Sequence, residues 1–211
     1  MHYKFISIEG NIGSGKTTLA RLLAESYNGR LMLEAYDDNP FLSKFYGDPQ
    51  KYALQTEMAF LLERYNQLQR LMSEPAIFSN FTVSDYMLAK CLLFAKVNLS
   101  AQDYKLYHSF FKIIEKKLPK PEIIYYLHAD TEILMKNIKK RGRSFESNIQ
   151  KPYLNKLERM YLQYFKQHPN LKVVVIDVQE RDWVADAFAY QSLLTIFDNP
   201  YSDGMHFITL K

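Results

Sequence analysis

Three glycines, one lysine and three hydroxyls fall within nine residues near the start of the chain, as Gly10-Asn11-Ile12-Gly13-Ser14-Gly15-Lys16-Thr17-Thr18. The pattern is G-x4-G-K-[ST], and its chemistry is the capture of a polyphosphate. Glycine lets a backbone turn successive N–H groups inward around an anion, with no Cβ in the way. A helix starting near Lys16 aims its positive end at the same point. Lys16 is then placed to neutralise β- and γ-phosphates, and the Thr17 hydroxyl to bind Mg²⁺. The chain holds only seven glycines, so three in six residues are not an effect of composition.

Phosphoryl transfer also needs a group that receives the proton of an attacking hydroxyl. Glu34 follows a β-rich run directly and so opens at the same sheet edge as the glycine loop. A carboxylate there suits an alcohol acceptor, although a solvated loop residue is the structural alternative. Asp85 ends another β-rich run. It is a candidate for Mg²⁺ or a magnesium-bound water, with a helix N-cap as the alternative. Lys139-Lys140-Arg141-Gly142-Arg143 is a dense cationic run. Two guanidiniums flanking a glycine suit a lid closing over phosphate oxygens, whereas a solvated face or weak nucleic-acid patch is the plain reading.

The elements that must position these groups follow from periodicity. Strands are expected at 4–8, 30–33, 76–84, 122–127 and 171–176. Helices are expected at 17–26, 52–72, 87–96, 101–118, 131–141, 153–167 and 183–197, with a polar loop at 143–150 and a loosely held tail after Pro200. Strands alternating with helices imply a parallel sheet covered on both faces.

The 211 residues suggest one domain, 1–211, with a lid at about 141–150. At 47% apolar and 15% aromatic the chain can build a core, and a net charge of +4 is too small to argue for nucleic acid. One cysteine, Cys91, permits no intrachain disulfide and suits a reducing compartment. The N-terminus runs straight into a strand, and no apolar stretch spans a bilayer. The expectation is a cytoplasmic protein with no signal peptide and no membrane partner. The five histidines show no metal-ligand spacing with Cys91.

Several clusters together resemble the deoxynucleoside kinase family, especially its bacterial deoxyguanosine and deoxyadenosine kinases. They are Glu34 with Asp38-Asn39-Pro40-Phe41-Leu42 and Phe45-Tyr46, then Ser84-Asp85-Tyr86, then Lys140 through Glu146. The resemblance extends from Phe5 to about Trp183. It implies a P-loop NTPase-like three-layer α/β sandwich with a five-stranded parallel sheet, and transfer of the ATP γ-phosphate to a nucleoside 5′-hydroxyl. It implies Glu34 as general base, Tyr46 and Glu146 on the sugar 3′-hydroxyl, Arg141 and Arg143 as lid arginines, and Asp182 and Trp183 beside the adenine of ATP. A homodimer is implied as well, for which the helices between Tyr52 and Leu118 offer an interface.

Two departures from the family pattern carry expectations. The family commonly has arginine after the acid, but Tyr86 stands here. Lys90, one helical turn on, is the candidate replacement for that charge. Glu57 falls where relatives have a base-binding glutamine, with Gln55 two residues earlier, and a helix lets only one of them face a pocket. Guanine offers two adjacent donors and suits a carboxylate. Adenine offers a donor beside an acceptor and suits an amide. Glu57 in the pocket therefore favours deoxyguanosine, with Arg64 a partner for guanine O6 unless the two form an i,i+7 surface pair. Phe94 is a candidate for stacking on the base, or a core residue. The rival readings are a deoxyadenosine or broad-specificity kinase, a nucleoside monophosphate kinase, a non-catalytic P-loop module, and a nucleic-acid-binding protein.

Overall fold

The computed structural model describes residues 1–74, 78–179, 183 and 186–210. β1 (Phe5–Gly10) is buried along its whole length. Apolar residues on both sides of a strand are what a central parallel strand requires. β1 lies between β3 (Thr82–Ser84) and β4 (Ile123–His128), with β2 (Arg30–Met32) outside β3. Beyond β4 come β5 (Lys172–Asp177) and β6 (Gly204–Thr209), giving the order β2-β3-β1-β4-β5-β6 with every pairing parallel.

The sheet therefore has six strands, one more than expected. The tail is not loosely held: β6 pairs with β5 from Lys172↔Gly204 to Asp177↔Thr209. β6 is an edge strand with Phe207 exposed, so it lacks the continuous apolar run that marks a buried parallel strand. The third strand covers 82–84 rather than 76–84, and residues 76 and 77 of that expectation lie outside the described ones.

One face of the sheet is covered by α1 (Lys16–Tyr27), α6 (Thr131–Arg141) and α8 (Ala187–Phe197), whose Leu19, Leu23, Leu134, Leu193 and Phe197 pack on Ile6, Ile8 and Tyr125. On the other face, α4 (Lys90–Asn98) and α7 (Lys151–Gln167) bring Leu93, Tyr161 and Phe165 onto Ile124, Tyr126 and Val173. A third cluster joins Leu61 and Leu68 of α3 (Pro49–Ser73) to Cys91 and to Tyr107 and Phe111 of α5 (Ala101–Glu115). The short α2 (Leu42–Gly47) went unforeseen, being too brief to show a period. The last helix starts at Ala187, not Trp183, because Asp186 caps it: its Oδ1 accepts from the N–H of Phe188 at 2.9 Å and of Ala189 at 3.2 Å.

Among the described residues no helix is long and apolar enough to cross a membrane. α8 is integral to the core, since Phe197 is fully buried with its ring 4.2 Å from that of Tyr125. Phe197→Ala is expected to cost about 3–5 kcal/mol of stability in urea denaturation.

Candidate active site

The carboxyl ends of β1, β2 and β3 lie at one edge, where chain order and strand order part company on either side of β1. Such a switch point is where an open α/β sheet leaves a crevice. The Gly10–Gly15 loop leaves β1 there, Glu34 lies two residues past β2, and Asp85 directly follows β3.

The loop is braced from several sides. Asn11 Nδ2 donates to the Leu154 carbonyl at 2.8 Å, its Oδ1 accepts from the Ile12 N–H at 2.9 Å, and Asn137 donates to the Gly13 carbonyl at 2.9 Å. Lys16 Nζ donates to the Asn11 carbonyl at 2.8 Å. Gly15 begins α1 with φ 93°, and a Cβ there would sit 2.9 Å from the Trp183 ring. α1 opens with no side-chain cap and no acidic residue in its first turn, so its leading N–H groups are left for an anion. The Trp183 ring thus lies against the loop, while Asp182 lies outside the described residues.

Asp85 is not a helix cap, because α4 starts only at Lys90. Its Oδ2 accepts from the Thr17 hydroxyl at 2.5 Å and its Oδ1 from the Glu34 backbone N–H at 2.7 Å. Hydroxyl and carboxylate oxygens side by side are hard donors of the kind magnesium takes, so Thr17 and Asp85 fit that ion.

Glu34 faces the cleft rather than bulk solvent. Arg64 donates to its Oε1 from Nε at 3.1 Å and also from Nη2, and Lys90 Nζ donates to its Oε2 at 2.8 Å. Burial opposes ionisation, but the Lys90 and Arg64 charges outweigh it and hold the carboxyl well below the usual range. Cations therefore gather around Glu34 even though the residue after Asp85 is Tyr86 and not an arginine. Lys90 is one, and Arg64, poised 5.6 Å over the Tyr86 ring, is the other. Tyr86 itself is buried and donates to Gln67 Oε1 at 2.5 Å.

α3 decides between Glu57 and Gln55. Its buried stripe runs Ala53, Thr56, Glu57, Leu61, Arg64, Leu68, so Glu57 faces the cleft and Gln55 faces solvent. Glu57 and Arg64 are both buried, which excludes a surface pair. Glu57 Oε1 accepts from Asn98 Nδ2 at 2.7 Å, and burial, with the Glu34 charge adding to it, raises its pKa to about 7. Phe94 lies on the same cleft, half-buried, with Lys90 Nζ 5.5 Å from its ring centroid.

The cationic run divides. Lys139 and Lys140 are exposed at the end of α6, Gly142 ends the helix with φ 71°, and a 3-10 turn (Ser144–Asn148) replaces the expected loop. Buried Glu146 gathers both arginines: Arg141 Nη2 donates to Oε2 at 2.5 Å and Arg143 Nη1 to Oε1 at 3.2 Å. The Arg143 guanidinium lies 3.5 Å from the Tyr36 ring centroid, and Tyr46 stacks on Phe145 at 5.9 Å. Lys16, Thr17, Glu34, Glu57, Asp85, Glu146 and both arginines line one cleft that opens to solvent.

Three participants escaped the sequence reading. Tyr36 carried no signal. Asn98 did carry one, since Lys90, Phe94 and Asn98 recur every fourth residue of α4. Glu9 lies fully buried beneath the loop, taking bonds from the Met87 N–H at 2.6 Å and the Tyr161 hydroxyl at 2.8 Å. Its signal was a charge near the end of an otherwise uncharged strand. Gly15→Ala imposes both a left-handed φ and a clash with Trp183. It should weaken triphosphate binding at least about tenfold, read by the fluorescence of that single tryptophan.

A deoxynucleoside kinase family model matches residues 6–199. A deoxyguanosine kinase of Bacillus subtilis (strain 168) is 35% identical over 193 residues, covering 90% of this chain and 93% of that protein. A deoxyadenosine kinase of Lactobacillus acidophilus is 29% identical over 208 residues, covering 92% and 94%. The structure of deoxyadenosine kinase from M. mycoides with bound dCTP superposes with a TM-score of 0.75 at 26% identity, covering 90% of this chain and 99% of that one. A match over nearly the whole length, on a P-loop sheet whose edge carries Glu34, Asp85 and two arginines, leads to one conclusion: the chain belongs to the deoxynucleoside kinase family, phosphotransferases of the P-loop NTPase fold.

Proposed function

We propose that this chain transfers the γ-phosphate of ATP to the 5′-hydroxyl of a purine deoxynucleoside, deoxyguanosine being favoured, as a step of purine deoxynucleotide salvage. The observation that carries this reading is the link between the two halves of the cleft. Asp85 joins the Thr17 hydroxyl on the phosphate side to the backbone of Glu34 on the acceptor side. Gly10–Thr18, with Lys16, would cradle the triphosphate. Thr17 and Asp85 would hold the magnesium that accompanies it, which supplies charge neutralisation between the phosphates.

Glu34 would accept a hydrogen bond from the 5′-hydroxyl and take its proton as the new P–O bond forms. Its depressed pKa makes it a weak base. That suits a loose transition state, in which positioning and charge stabilisation outweigh early proton removal. Tyr46 and Glu146 would hold the sugar, and Arg141 and Arg143 would offset charge on the transferring group. A neutral alcohol is the fitting acceptor, since Arg64 and Lys90, the cations beside the acceptor carboxylate, are both engaged by Glu34.

The guanine preference rests on Glu57 facing the cleft with one oxygen taken by Asn98, on Arg64 beside it, and on the similarity to a deoxyguanosine kinase. The similarity to a deoxyadenosine kinase supports the second reading, phosphorylation of deoxyadenosine. A reducing, cytoplasmic location suits the one buried free thiol. The second copy of a homodimer would cover the outer face of α3 and α5, where Leu62, Leu106, Phe110 and Ile113 are exposed.

Supplied with Mg·ATP, the protein should form ADP with deoxyguanosine and not with dGMP. Glu34→Gln should lower kcat by about 10²–10⁴ and, because it leaves Arg64 and Lys90 without their carboxylate, should also lower the urea midpoint, so turnover is compared on protein shown to be folded by circular dichroism. A variant keeping a tenth of the activity would remove Glu34 from the reaction. Leu62→Glu with Ile113→Glu should convert a dimer to a monomer in light scattering after gel filtration.

A further inference from the structure

Glu57 is an acid in an unusual position. It is 2% exposed, yet it lines the wall of the cleft, flanked by Phe60 and Phe94. One of its oxygens accepts from Asn98 at 2.7 Å, and the other accepts no hydrogen bond from the described residues. That oxygen is wholly available to a ligand, and the Asn98-bound oxygen keeps a second lone pair for one. A carboxylate offers a ligand acceptors only, whereas a carboxylic acid offers one donor beside one acceptor. Those two patterns match the Watson–Crick edges of the two purines. Guanine presents N1–H and N2–H, two donors. Adenine presents an N6–H donor beside the N1 acceptor.

We propose that the protonation state of Glu57 chooses the purine, the carboxylate taking deoxyguanosine and the carboxylic acid taking deoxyadenosine. The proposal rests on the deoxynucleoside kinase reading given above and deepens it.

The balance is one proton. Deoxyadenosine binding captures H⁺ from solvent on the Glu57 oxygen, which then donates to adenine N1 while the other oxygen accepts from N6–H. Deoxyguanosine binding to the acid form releases that proton. With the carboxylate ionised, adenine N1 faces a lone pair on a charged oxygen, and an unpaired buried acceptor of that kind rejects a ligand strongly.

The charges around Glu57 leave the switch within reach of ordinary pH. Along its own helix Arg64 favours the ion, but Arg64 is itself engaged by Glu34. From α4, Lys90 and the Asn98 amide favour the ion, while Cys91 stands nearby as a neutral thiol. Glu34, beyond β2, opposes a second negative charge. The remaining neighbours are phenols: Tyr46 of α2, Tyr153 of α7, and Tyr107 of α5, whose hydroxyl donates to the Glu57 backbone carbonyl at 3.3 Å. Burial outweighs these charges and brings the group to about 7.

The sign follows directly. Lowering pH raises the acid fraction, so kcat/KM for deoxyadenosine rises relative to that for deoxyguanosine. Where each form takes only one base, the ratio changes about tenfold per pH unit. Taking the ratio cancels the titration of every group that serves both substrates.

The test measures kcat/KM for both nucleosides from about pH 5.5 to about pH 8.5 in the wild type and in Glu57→Gln, a window in which neither purine ionises at its Watson–Crick edge. A rise in the deoxyadenosine-to-deoxyguanosine ratio of at least about tenfold on going from the high to the low end of this window, abolished in Glu57→Gln, is the expected result. A smaller change, or one that survives in Glu57→Gln, overturns the proposal. Titration calorimetry of the wild type in buffers of different ionisation enthalpy gives a readout without turnover. Deoxyadenosine should take up a proton near the upper limit and deoxyguanosine release one near the lower. Proton-linked binding without turnover would sink the kinase reading alone, whereas turnover with a flat ratio would sink this one alone.

Discussion

One carboxylate ties the site together. Asp85 accepts from the Thr17 hydroxyl with one oxygen and from the Glu34 backbone with the other. Thr17 belongs to the helix after β1, Glu34 to the loop after β2, and Asp85 to the end of β3. Three crossovers of the sheet are thus fastened at a single side chain. The distance between Thr17 and Glu34 is then set by the spacing of adjacent strands, and a rigid sheet edge fixes it better than loops would.

Around that tie the charges are arranged in compensating groups. Glu34 carries its negative charge in a half-enclosed place because Arg64 and Lys90 stand on either oxygen, and each of those is itself almost wholly buried. Removing either cation would leave a carboxylate short of compensation, a loss of several kcal/mol in typical buried pairs. Glu9 and Lys16 form a second layer beneath. Burial pushes the Glu9 carboxyl up against the pull of the Lys90 and Lys16 ammoniums. A substitution at any of these positions therefore acts on the titration of the others.

How much of this could be read from residues alone depended on period and context. The phosphate loop and the alternating sheet were legible because glycine clustering and strand–helix alternation are local. The location of Glu34 and Asp85 was legible because each lies within two residues of a strand's end. The choice between Glu57 and Gln55 was not, since it turns on which stripe of α3 is buried, and only α4 and α5 packing against that helix fix the answer. β6 was missed because an exposed edge strand needs few apolar residues. The role of Arg64 as partner to Glu34 was hidden because the two lie thirty residues apart. Tyr36 was invisible, as a tyrosine in a loop declares nothing until a guanidinium settles on it.

That stacked pair has a mechanical meaning. Arg143 sits on the segment beyond α6, and Tyr36 sits two residues past Glu34. Any outward swing of the first segment must peel a cation from an aromatic face, a separation worth roughly 0.5–2 kcal/mol. Traffic through that side of the cleft and the posture of the acceptor loop are consequently latched to one another. A weaker ring at position 36 would loosen the contact between the segment beyond α6 and the loop that carries Glu34.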